Sequence, residues 1–356
     1  MKKKVKIGIV GLGRVFEHYL ELFKKKKIKN YKLVSICDID EKKRFYAKNL
    51  NAKFYNNFRN PNFYKDIDLV LILTISGNHY PIAKFFLNKK IHVLCEKPLT
   101  MTPSKSLDLF KISKKQKVIC GVVFQNRFNP SIQLVKKTVS DGKFGKIVNV
   151  SISLLWCRYQ HYYDDKWHGT WLNDGGVLNQ QLIHHLDILR WIFGPINLVN
   201  CITTKRLNKL QAEDTAAAIV KFTNGSLCTI EATTAARPVD LHASMSVVGE
   251  KGTAVISGVA MNKVKTWKFK NQTDLMENKI KKTYSKNVPT GYGVSHITYL
   301  NKTFENILKK KFEPPVDAYE AYLTSLFVHS LYKSSETSKW IKVNSNSLSK
   351  KLGNKN

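Results

Sequence analysis

The chain has 356 residues, of which 43% are hydrophobic and 24% are charged, an ordinary composition for a folded protein of about two domains. No apolar run is long enough to span a bilayer, and the six cysteines include no C-x-x-C pair. These features exclude a membrane protein, a disulfide scaffold and a zinc framework, so we expect a soluble cytoplasmic protein without a metal site.

The formal net charge is +33, a value that could indicate nucleic-acid binding. However, the 59 basic residues are 51 lysines and eight arginines spread along the whole chain, whereas specific base readout favours arginine. We interpret the charge as a general preference for lysine, with attraction of anionic substrates as the alternative, and expect no nucleic-acid partner. Because lysine is the default cation, each arginine is a candidate for a position that requires a guanidinium.

Up to residue 123, short apolar strands alternate with helical patterns. Such strands separated by helices favour a parallel sheet covered on both faces, an α/β doubly wound (Rossmann) domain over residues 1–123. The predicted strands are 5–10, 31–37, 69–73, 92–95 and 118–123, and the predicted helices are 15–26, 80–87 and 105–115.

A glycine-rich turn follows the first predicted strand. Gly11 and Gly13 precede a helical pattern, where glycines permit a tight turn and let a pyrophosphate approach the main chain at a helix N-terminus. Phe16 occupies the third position, where Gly or Ala is usual, so a glycine turn without a ligand is the alternative.

Asp38 ends the second predicted strand, where a carboxylate binds the ribose 2′-OH of NAD. A carboxylate there would repel the 2′-phosphate of NADP, so the sequence favours NAD, although the nearby Arg14 softens that preference. The predicted cofactor-binding residues of this region are Gly11, Gly13, Arg14, Val15 and Asp38.

Two further polar segments follow apolar strands. Thr74 and His79 come after the third predicted strand, and Glu96-Lys97-Pro98 ends the fourth. In a doubly wound sheet both segments lie at the carboxyl edge, where ligands bind. We therefore predict that Thr74, His79, Glu96 and Lys97 contact the cofactor.

After residue 124 strands follow one another directly. The pattern predicts an α+β domain over residues 124–343, with a mainly antiparallel sheet flanked by helices. Asn224-Gly225 predicts a type I′ hairpin turn, and the polar tail 344–356 is predicted to be flexible. The strands are predicted at 198–204, 215–222, 227–235, 243–248 and 253–256, and the helices at 130–139, 178–193, 298–309 and 317–332.

The predicted helix 178–193 carries a polar stripe. Gln180, His184, Asp187 and Trp191 share one face at helical spacing, and the opposite face is apolar and should be core. A solvated polar face is the alternative, but this chain usually fills such faces with lysine. Oxidation of an alcohol by a nicotinamide requires a base near the hydroxyl, and His184 fits by its intrinsic pKa, with Lys97 as the other candidate.

These motifs together resemble the glucose–fructose oxidoreductase / inositol dehydrogenase (Gfo/Idh/MocA) family over nearly the whole chain. The resemblance implies that Lys97 contacts both the nicotinamide ribose and the substrate hydroxyl, and that the Lys97–Pro98 bond is often cis. Many members carry Asp at the position of Gln180, and a neutral amide can orient a hydroxyl but cannot act as a base. The catalytic candidates are therefore Lys97 and His184, the latter with Asp187 as a group that could orient it.

Six further segments are 124–130, 156–160, 162–164, 167–171, 213–215 and 237–238. They look like the UDP-N-acetylglucosaminuronate 3-dehydrogenase branch of that family, which oxidises a sugar 3-hydroxyl with tightly held NAD regenerated by a 2-oxo acid. His168 stands where that branch commonly has arginine. Three of the eight arginines fall in these segments, which suggests bidentate contacts to a carboxylate or a pyrophosphate. The resemblance adds Gln125, Trp167 and His168 to the cofactor-binding candidates, and the substrate-binding candidates are Lys97, Arg127, Arg158, Tyr163, Gln180, His184, Asp187 and Arg237.

The sequence thus predicts an NAD-dependent oxidoreductase acting on a ring hydroxyl, at C3, of a nucleotide-linked N-acetyl uronic acid in surface-polysaccharide biosynthesis. A free-sugar or inositol dehydrogenase and a non-catalytic NAD-sensing regulator are the alternatives. An open face of the second sheet would favour a homodimer or homotetramer.

Overall fold

The computed structural model describes residues 3–288 and 290–354. The chain divides into two compact units, one containing Met1–Phe124 and His296–Leu323, the other Gln125–Ser295 and Thr324–Asn356. None of the helices in the described ranges is both long and apolar enough to cross a membrane. All six cysteines are free, and five of them are buried.

The first unit is built on a six-stranded sheet whose strands alternate with helices. The strands are β1 (Val5–Val10), β2 (Tyr31–Cys37), β3 (Lys53–Tyr55), β4 (Leu69–Ile72), β5 (His92–Cys95) and β6 (Cys120–Val122), and the helices are α1 (Arg14–Lys24), α2 (Phe45–Leu50), α3 (Pro61–Tyr64), α4 (His79–Asn88) and α5 (Pro103–Gln116). The strand order is β3-β2-β1-β4-β5-β6 and all neighbours are parallel. This arrangement confirms the predicted doubly wound fold.

The remaining elements follow Phe124. The strands are β7 (Ile147–Leu155), β8 (Ile196–Thr204), β9 (Thr215–Phe222), β10 (Leu227–Thr233), β11 (His242–Gly249), β12 (Gly252–Ser257), β13 (Lys263–Phe269) and β14 (Ile341–Lys342), and the helices are α6 (Pro130–Ser140), α7 (Val177–Gln180), α8 (Ile183–Phe193), α9 (Asp274–Tyr284), α10 (His296–Leu308) and α11 (Ala318–Thr337). The second unit has an eight-stranded sheet in the order β13-β12-β11-β7-β10-β9-β8-β14. Only β7 and β10 are parallel neighbours, which confirms the predicted mainly antiparallel sheet.

Strand β7 was not predicted, yet it lies between β10 and β11 in the middle of the second sheet. Its odd positions face one side and its even positions the other, and Val150, Ile152 and Leu154 are buried. The alternation is a signal for a half-covered strand, and it was missed because serines break its apolar character.

The segment His296–Leu323 belongs to the first unit, although the sequence placed it in the second domain. The Tyr299 hydroxyl donates to the Val122 carbonyl oxygen at 2.6 Å, and the Val122 N–H donates to the Val316 carbonyl oxygen at 3.1 Å. The periodicity of α10 correctly indicates a helix, but periodicity carries no information about which sheet a helix packs against.

The hairpin between β9 and β10 forms where it was predicted, but with a different turn. The Gly225 N–H donates to the Phe222 carbonyl oxygen at 3.1 Å, so Thr223 and Asn224 are the central residues of the turn. Gly225 follows in the left-handed region with φ 86°. This is a type I turn followed by a glycine bulge rather than a type I′ turn.

The tail from residue 344 is packed rather than frayed. Leu352 is 1% exposed, and the Gly353 N–H donates to the Trp171 carbonyl oxygen at 2.8 Å. The Ser349 N–H donates to His329 Nδ1 at 3.2 Å. These contacts contradict the predicted flexibility for residues 344–354, because polar composition alone does not reveal hydrogen-bond partners elsewhere in the fold.

Candidate active site

The glycine loop between β1 and α1 is shaped by a close approach of main chains. Gly11 has φ 96°, and a Cβ there would lie 2.7 Å from the Thr74 nitrogen. Gly13 begins α1, and a Cβ added to it would meet nothing within 4 Å. Phe16 is fully buried against Tyr46, so the departure at the third glycine position serves the core. The side of Gly13 on which a Cβ would lie is therefore open, which lets a pyrophosphate approach the main chain where α1 begins.

Asp38 is tied to this loop. Its Oδ2 accepts the Leu12 N–H at 2.7 Å and its Oδ1 accepts the Asp40 N–H at 2.9 Å. Each oxygen thus accepts one N–H and keeps a second lone pair for a ribose hydroxyl. The side chain is half-buried, so part of it is accessible. The next residue, Ile39, is 91% exposed beside the loop.

Arg14 and Val15 occupy the first turn of α1, where Arg14 is exposed and Val15 half-buried. Both therefore lie at the helix N-terminus, where an anion is favoured electrostatically.

His79 holds two loops of the sheet edge together. Its Nδ1 lies 2.7 Å from the Pro98 carbonyl oxygen, and its Nε2 lies 2.9 Å from the Thr74 carbonyl oxygen. The ring is 1% exposed, and burial lowers its pKa despite these two acceptors. The structure therefore brings Thr74, His79 and the Lys97–Pro98 segment together, with His79 in a bridging position.

Glu96 is buried directly before the catalytic candidate Lys97. Its Oε1 accepts the Tyr19 hydroxyl at 2.7 Å, and its Oε2 accepts the Lys97 N–H at 3.2 Å. Burial raises the pKa of Glu96, but the His296 imidazole and the Tyr19 hydroxyl stabilise the carboxylate and bring its pKa down to about 2. Lys97 is half-buried, and the Lys97–Pro98 bond is cis.

In the second unit, the predicted helix 178–193 is interrupted. The Leu182 N–H donates to the Val177 carbonyl oxygen at 2.8 Å, five residues back, and α7 ends at Gln180 before α8 begins at Ile183. Such wide turns occur often at functional sites. The prediction that Gln180 and His184 share one continuous helix face is therefore wrong, although the predicted apolar face is buried at Leu178, Leu182, Leu186 and Leu189.

His184 and its neighbour His185 differ in environment. His185 is 1% exposed, and burial lowers its pKa to about 4, so its imidazole stays neutral in the core. His184 is half-buried, and Gln180 is 9% exposed. Of the two adjacent histidines, His184 is the one that combines partial access with a position beside the α7–α8 interruption.

Arg127 and Asp187 bind each other. Arg127 Nε donates to Asp187 Oδ2 and Nη2 donates to Oδ1, both at 2.6 Å, and Oδ1 also accepts the Thr324 hydroxyl at 3.0 Å. The side chains of the pair are 5% and 1% exposed, and the guanidinium lies 5.1 Å from the centroid of the Trp191 ring. The predicted bidentate contact of Arg127 exists, but its carboxylate belongs to the protein. Asp187, a member of the predicted polar stripe, is therefore engaged in this buried ion pair.

Arg158 and Arg237, the other two arginines among the substrate-binding candidates, lie on aromatic rings near the end of β7. Arg158 lies 5.1 Å from the Trp156 ring centroid and its Nη1 donates to Asp240 Oδ1 at 2.9 Å. Arg237 is exposed, 4.3 Å from the Tyr159 ring centroid. Within the described ranges, the hydrogen-bond acceptors of Arg237 are neutral: main-chain carbonyl oxygens, the Asn208 side chain and the Cys157 sulfur. Arg237 therefore presents a positive charge that no carboxylate of these residues balances.

The remaining candidates of the second unit are largely buried. The Tyr163 hydroxyl lies 2.8 Å from the Thr234 hydroxyl, and burial raises its pKa to about 12. His168 Nδ1 lies 2.5 Å from Asp165 Oδ2, and its ring is 3.6 Å from the half-buried Trp167 ring, centroid to centroid. Gln125 is 2% exposed, and its Oε1 meets no hydrogen-bond donor among the residues described.

A buried carboxyl group supports the start of α7. Glu213 Oε1 accepts the Leu178 N–H at 3.0 Å and the Tyr332 hydroxyl at 2.8 Å. A Cβ at Gly176 would lie 2.1 Å from the Glu213 carbonyl oxygen, so only glycine fits there. Burial raises the pKa of Glu213 to about 7. Sequence reasoning assigned no role to Glu213 and missed Tyr332, which is 119 residues away along the chain.

Comparison with known protein families identifies the first unit as a nucleotide-binding domain. Residues 5–124 match the model described as "Oxidoreductase family, NAD-binding Rossmann fold", and residues 136–343 match "Oxidoreductase family, C-terminal alpha/beta domain". The chain belongs to the Gfo/Idh/MocA oxidoreductase family. The open space at Gly13, the tight Gly11 turn and the Asp38 carboxylate fit NAD, and the protein is an NAD-dependent dehydrogenase.

Two solved members of this family are similar along almost their whole length. The WlbA dehydrogenase of Bordetella pertussis, solved with NADH and UDP-GlcNAcA, is 28% identical with a TM-score of 0.88, over 96% of this chain and 99% of that one. The WlbA dehydrogenase of Chromobacterium violaceum, solved with the same two molecules, is 26% identical with a TM-score of 0.88, over 97% of both chains. The inositol 2-dehydrogenase of Salmonella paratyphi B is 24% identical over 76% of this chain and 79% of its own length.

Proposed function

We propose that this dehydrogenase oxidises a ring hydroxyl, at C3, of a nucleotide-linked N-acetyl uronic acid used for surface polysaccharides. The observation that carries this proposal is the similarity to two dehydrogenases solved with UDP-GlcNAcA, which extends over both units. The same residues that suggested this substrate class in the sequence, Arg158, Tyr163 and Arg237, lie in the second unit.

The proposed chemistry divides the work between the cofactor and two side chains. Held at the glycine loop and Asp38, NAD would supply the acceptor for the hydride of the carbinol carbon, and the hydroxyl proton must leave as the carbonyl forms. We assign the proton transfer to Lys97 and His184, and the orientation of the hydroxyl to Gln180, whose amide has no basic form. The oxygens of Asp187 are engaged by Arg127 and Thr324, so we place this pair beneath the site as support.

Arg237 is the proposed anchor for the anionic part of the substrate. Its exposed guanidinium is held over Tyr159 by neutral acceptors, so a carboxylate or a pyrophosphate could pair with it without displacing an internal ion pair. Charge-assisted bonds of this kind contribute roughly 1.5–3 kcal/mol.

An inositol or free-sugar dehydrogenase is the second candidate, favoured by the similarity to an inositol 2-dehydrogenase. Titration by calorimetry separates the two. We expect UDP-GlcNAcA to bind the NAD-loaded protein, and free N-acetylglucosaminuronate and myo-inositol to bind far more weakly. Arg237→Ala should weaken UDP-GlcNAcA binding by about 10- to 100-fold, whereas Arg206→Ala, at another exposed arginine of the same unit, should leave it unchanged.

Tight binding of myo-inositol together with no binding of the UDP-sugar would reverse the order of the two candidates. NAD binding without turnover of any of these alcohols would instead favour the non-catalytic regulator. If the cofactor is recycled in place, NADH that co-purifies with the protein is oxidised when a 2-oxo acid is added.

We further propose that the protein forms a homo-oligomer through the outer face of the second sheet. In a chain with 51 lysines, this face carries serines paired across β7 and β11 (Ser151 with Ser246, Ser153 with Ser244) and the exposed Ile219. A sheet face with such small and apolar side chains suits contact with a second copy.

Light scattering tests this contact. Wild-type protein should have at least twice the monomer mass, and Ile219→Lys should lower it, because a charge buried in such an interface has no partner. Leu275→Lys changes a more exposed apolar residue, on α9, and should leave the mass unchanged. A monomeric wild-type protein would contradict the proposal.

A further inference from the structure

A buried chain of polar side chains ends on the carboxylate of Glu96. His296 Nε2 lies 3.7 Å from Glu96 Oε1, and His18 Nε2 lies 3.4 Å from His296 Nδ1. The rings of His18 and His296 pack edge to face, with centroids 4.8 Å apart. Tyr19, which donates to the same Oε1, is fully buried, and His296 is 1% exposed.

The hydrogen-bond roles in this chain follow from the acceptor at its end. A carboxylate only accepts, so it favours the state of His296 in which Nε2, 3.7 Å from Glu96 Oε1, carries a hydrogen. Burial, together with the neighbouring His296, lowers the pKa of His18 to about 4, so His18 is neutral, and its Nε2 shares one hydrogen with His296 Nδ1. In this arrangement His18 fixes the orientation of His296, and His296 directs one N–H at Glu96.

The other oxygen of Glu96 connects this chain to Lys97. Glu96 Oε2 accepts the Lys97 N–H at 3.2 Å, and the Glu96 N–H donates to the Ile72 carbonyl oxygen at 3.0 Å, at the end of β4. Glu96 is thus held on both sides, and the main chain at Lys97 is held with it. A displacement of about 1 Å at a reacting group can lower a rate by about 10²-fold.

We propose that His296 is a positioning residue for Lys97, acting through the Glu96 carboxylate and oriented in turn by His18. This proposal rests on the catalytic role proposed for Lys97. It gives a function to α10, which returns to the first unit and places His296 beside the Glu96-Lys97-Pro98 segment.

Two replacements of His296 test the proposal. Phenylalanine fills the ring volume without an N–H, and glutamine restores an N–H near the position of Nε2. We expect His296→Phe to lower kcat by about 10- to 100-fold with little change in the affinity for NAD, and His296→Gln to recover most of the loss. His92→Phe is the control, since it removes a different imidazole of this unit, which is half-buried and accepts the Ile119 N–H.

Hydrogen exchange supplies a readout that does not depend on turnover. In the wild-type protein and in His296→Gln, the Lys97 amide should be protected, whereas in His296→Phe it should exchange at least about tenfold faster, because the carboxylate that accepts its hydrogen bond is no longer held. Thermal melting of each variant identifies a general loss of structure.

Equal kcat in wild type and His296→Phe, or equal loss of kcat and of Lys97 protection in the Phe and Gln variants, would overturn the proposal. If exchange at Lys97 responds to His296→Phe while Lys97→Ala retains full turnover, the positioning by His296 stands and the catalytic role of Lys97 fails. Faster exchange in the His92 control as well would show that the effect is not specific to the His296 contact.

Discussion

Replacing Lys97 with alanine should lower kcat by about 10²–10⁴-fold, the range that a positioned acid or base contributes. His184→Ala should cause a loss of the same order, because both side chains are proposed to handle the hydroxyl proton. NAD should remain bound in both variants, since the glycine loop and Asp38 are unchanged. The measurements are NADH formation at saturating UDP-GlcNAcA and NAD binding by fluorescence titration.

Lys115→Ala is the matched control, because Lys115 is exposed on α5 of the same unit as Lys97. Its kcat should equal that of the wild-type protein. Full activity in both Lys97→Ala and His184→Ala would refute the proposed acid–base pair. Loss of activity accompanied by loss of NAD would instead place the effect on cofactor binding.

Replacing Arg127 with methionine is expected to cost about 3–5 kcal/mol of unfolding free energy, because it leaves the Asp187 carboxylate buried without its charged partner. The double variant Arg127→Met/Asp187→Leu should recover most of the loss, since no charge then remains buried. Urea denaturation of the single and double variants measures both effects.

The Arg44–Glu41 pair provides a control with the same chemistry at the surface. Arg44 Nε and Nη2 both donate to Glu41 Oε2, and the two side chains are 60% and 49% exposed. Arg44→Met should therefore change stability by at most about 1 kcal/mol. If Arg127→Met is no more destabilising than Arg44→Met while substrate affinity collapses, Arg127 is a substrate ligand, as the sequence suggested, rather than a structural residue.

The preference of this chain for lysine made its arginines informative, and their positions show why. Arg127 needs the guanidinium fork to meet both oxygens of Asp187, and Arg158 and Arg237 lie on aromatic rings. Lysine, a point charge, could not reproduce these geometries. The composition therefore identified positions that require arginine, but it did not reveal whether the partner of each is internal or a ligand.

Local signals determined much of the first unit. The predicted strands 5–10, 31–37 and 92–95 have the same bounds as β1, β2 and β5. An apolar run that ends in turn residues can be recognised as a strand from a few consecutive positions. The glycine loop and Asp38 were found for the same reason, since a short strand–turn–helix motif carries its own geometry.

By itself, the sequence determined the fold class, the family resemblance and the positions along the chain of the first five predicted strands, all of which depend on neighbours along the chain. Only the tertiary structure decided that Asp187 pairs with Arg127, that His296 reaches Glu96 and that the tail packs on Trp171. Helical spacing specifies which side chains share a face. It cannot specify the partner opposite that face, because that partner lies 60 or more residues away for Arg127 and Glu96 and is reached only when the chain has folded.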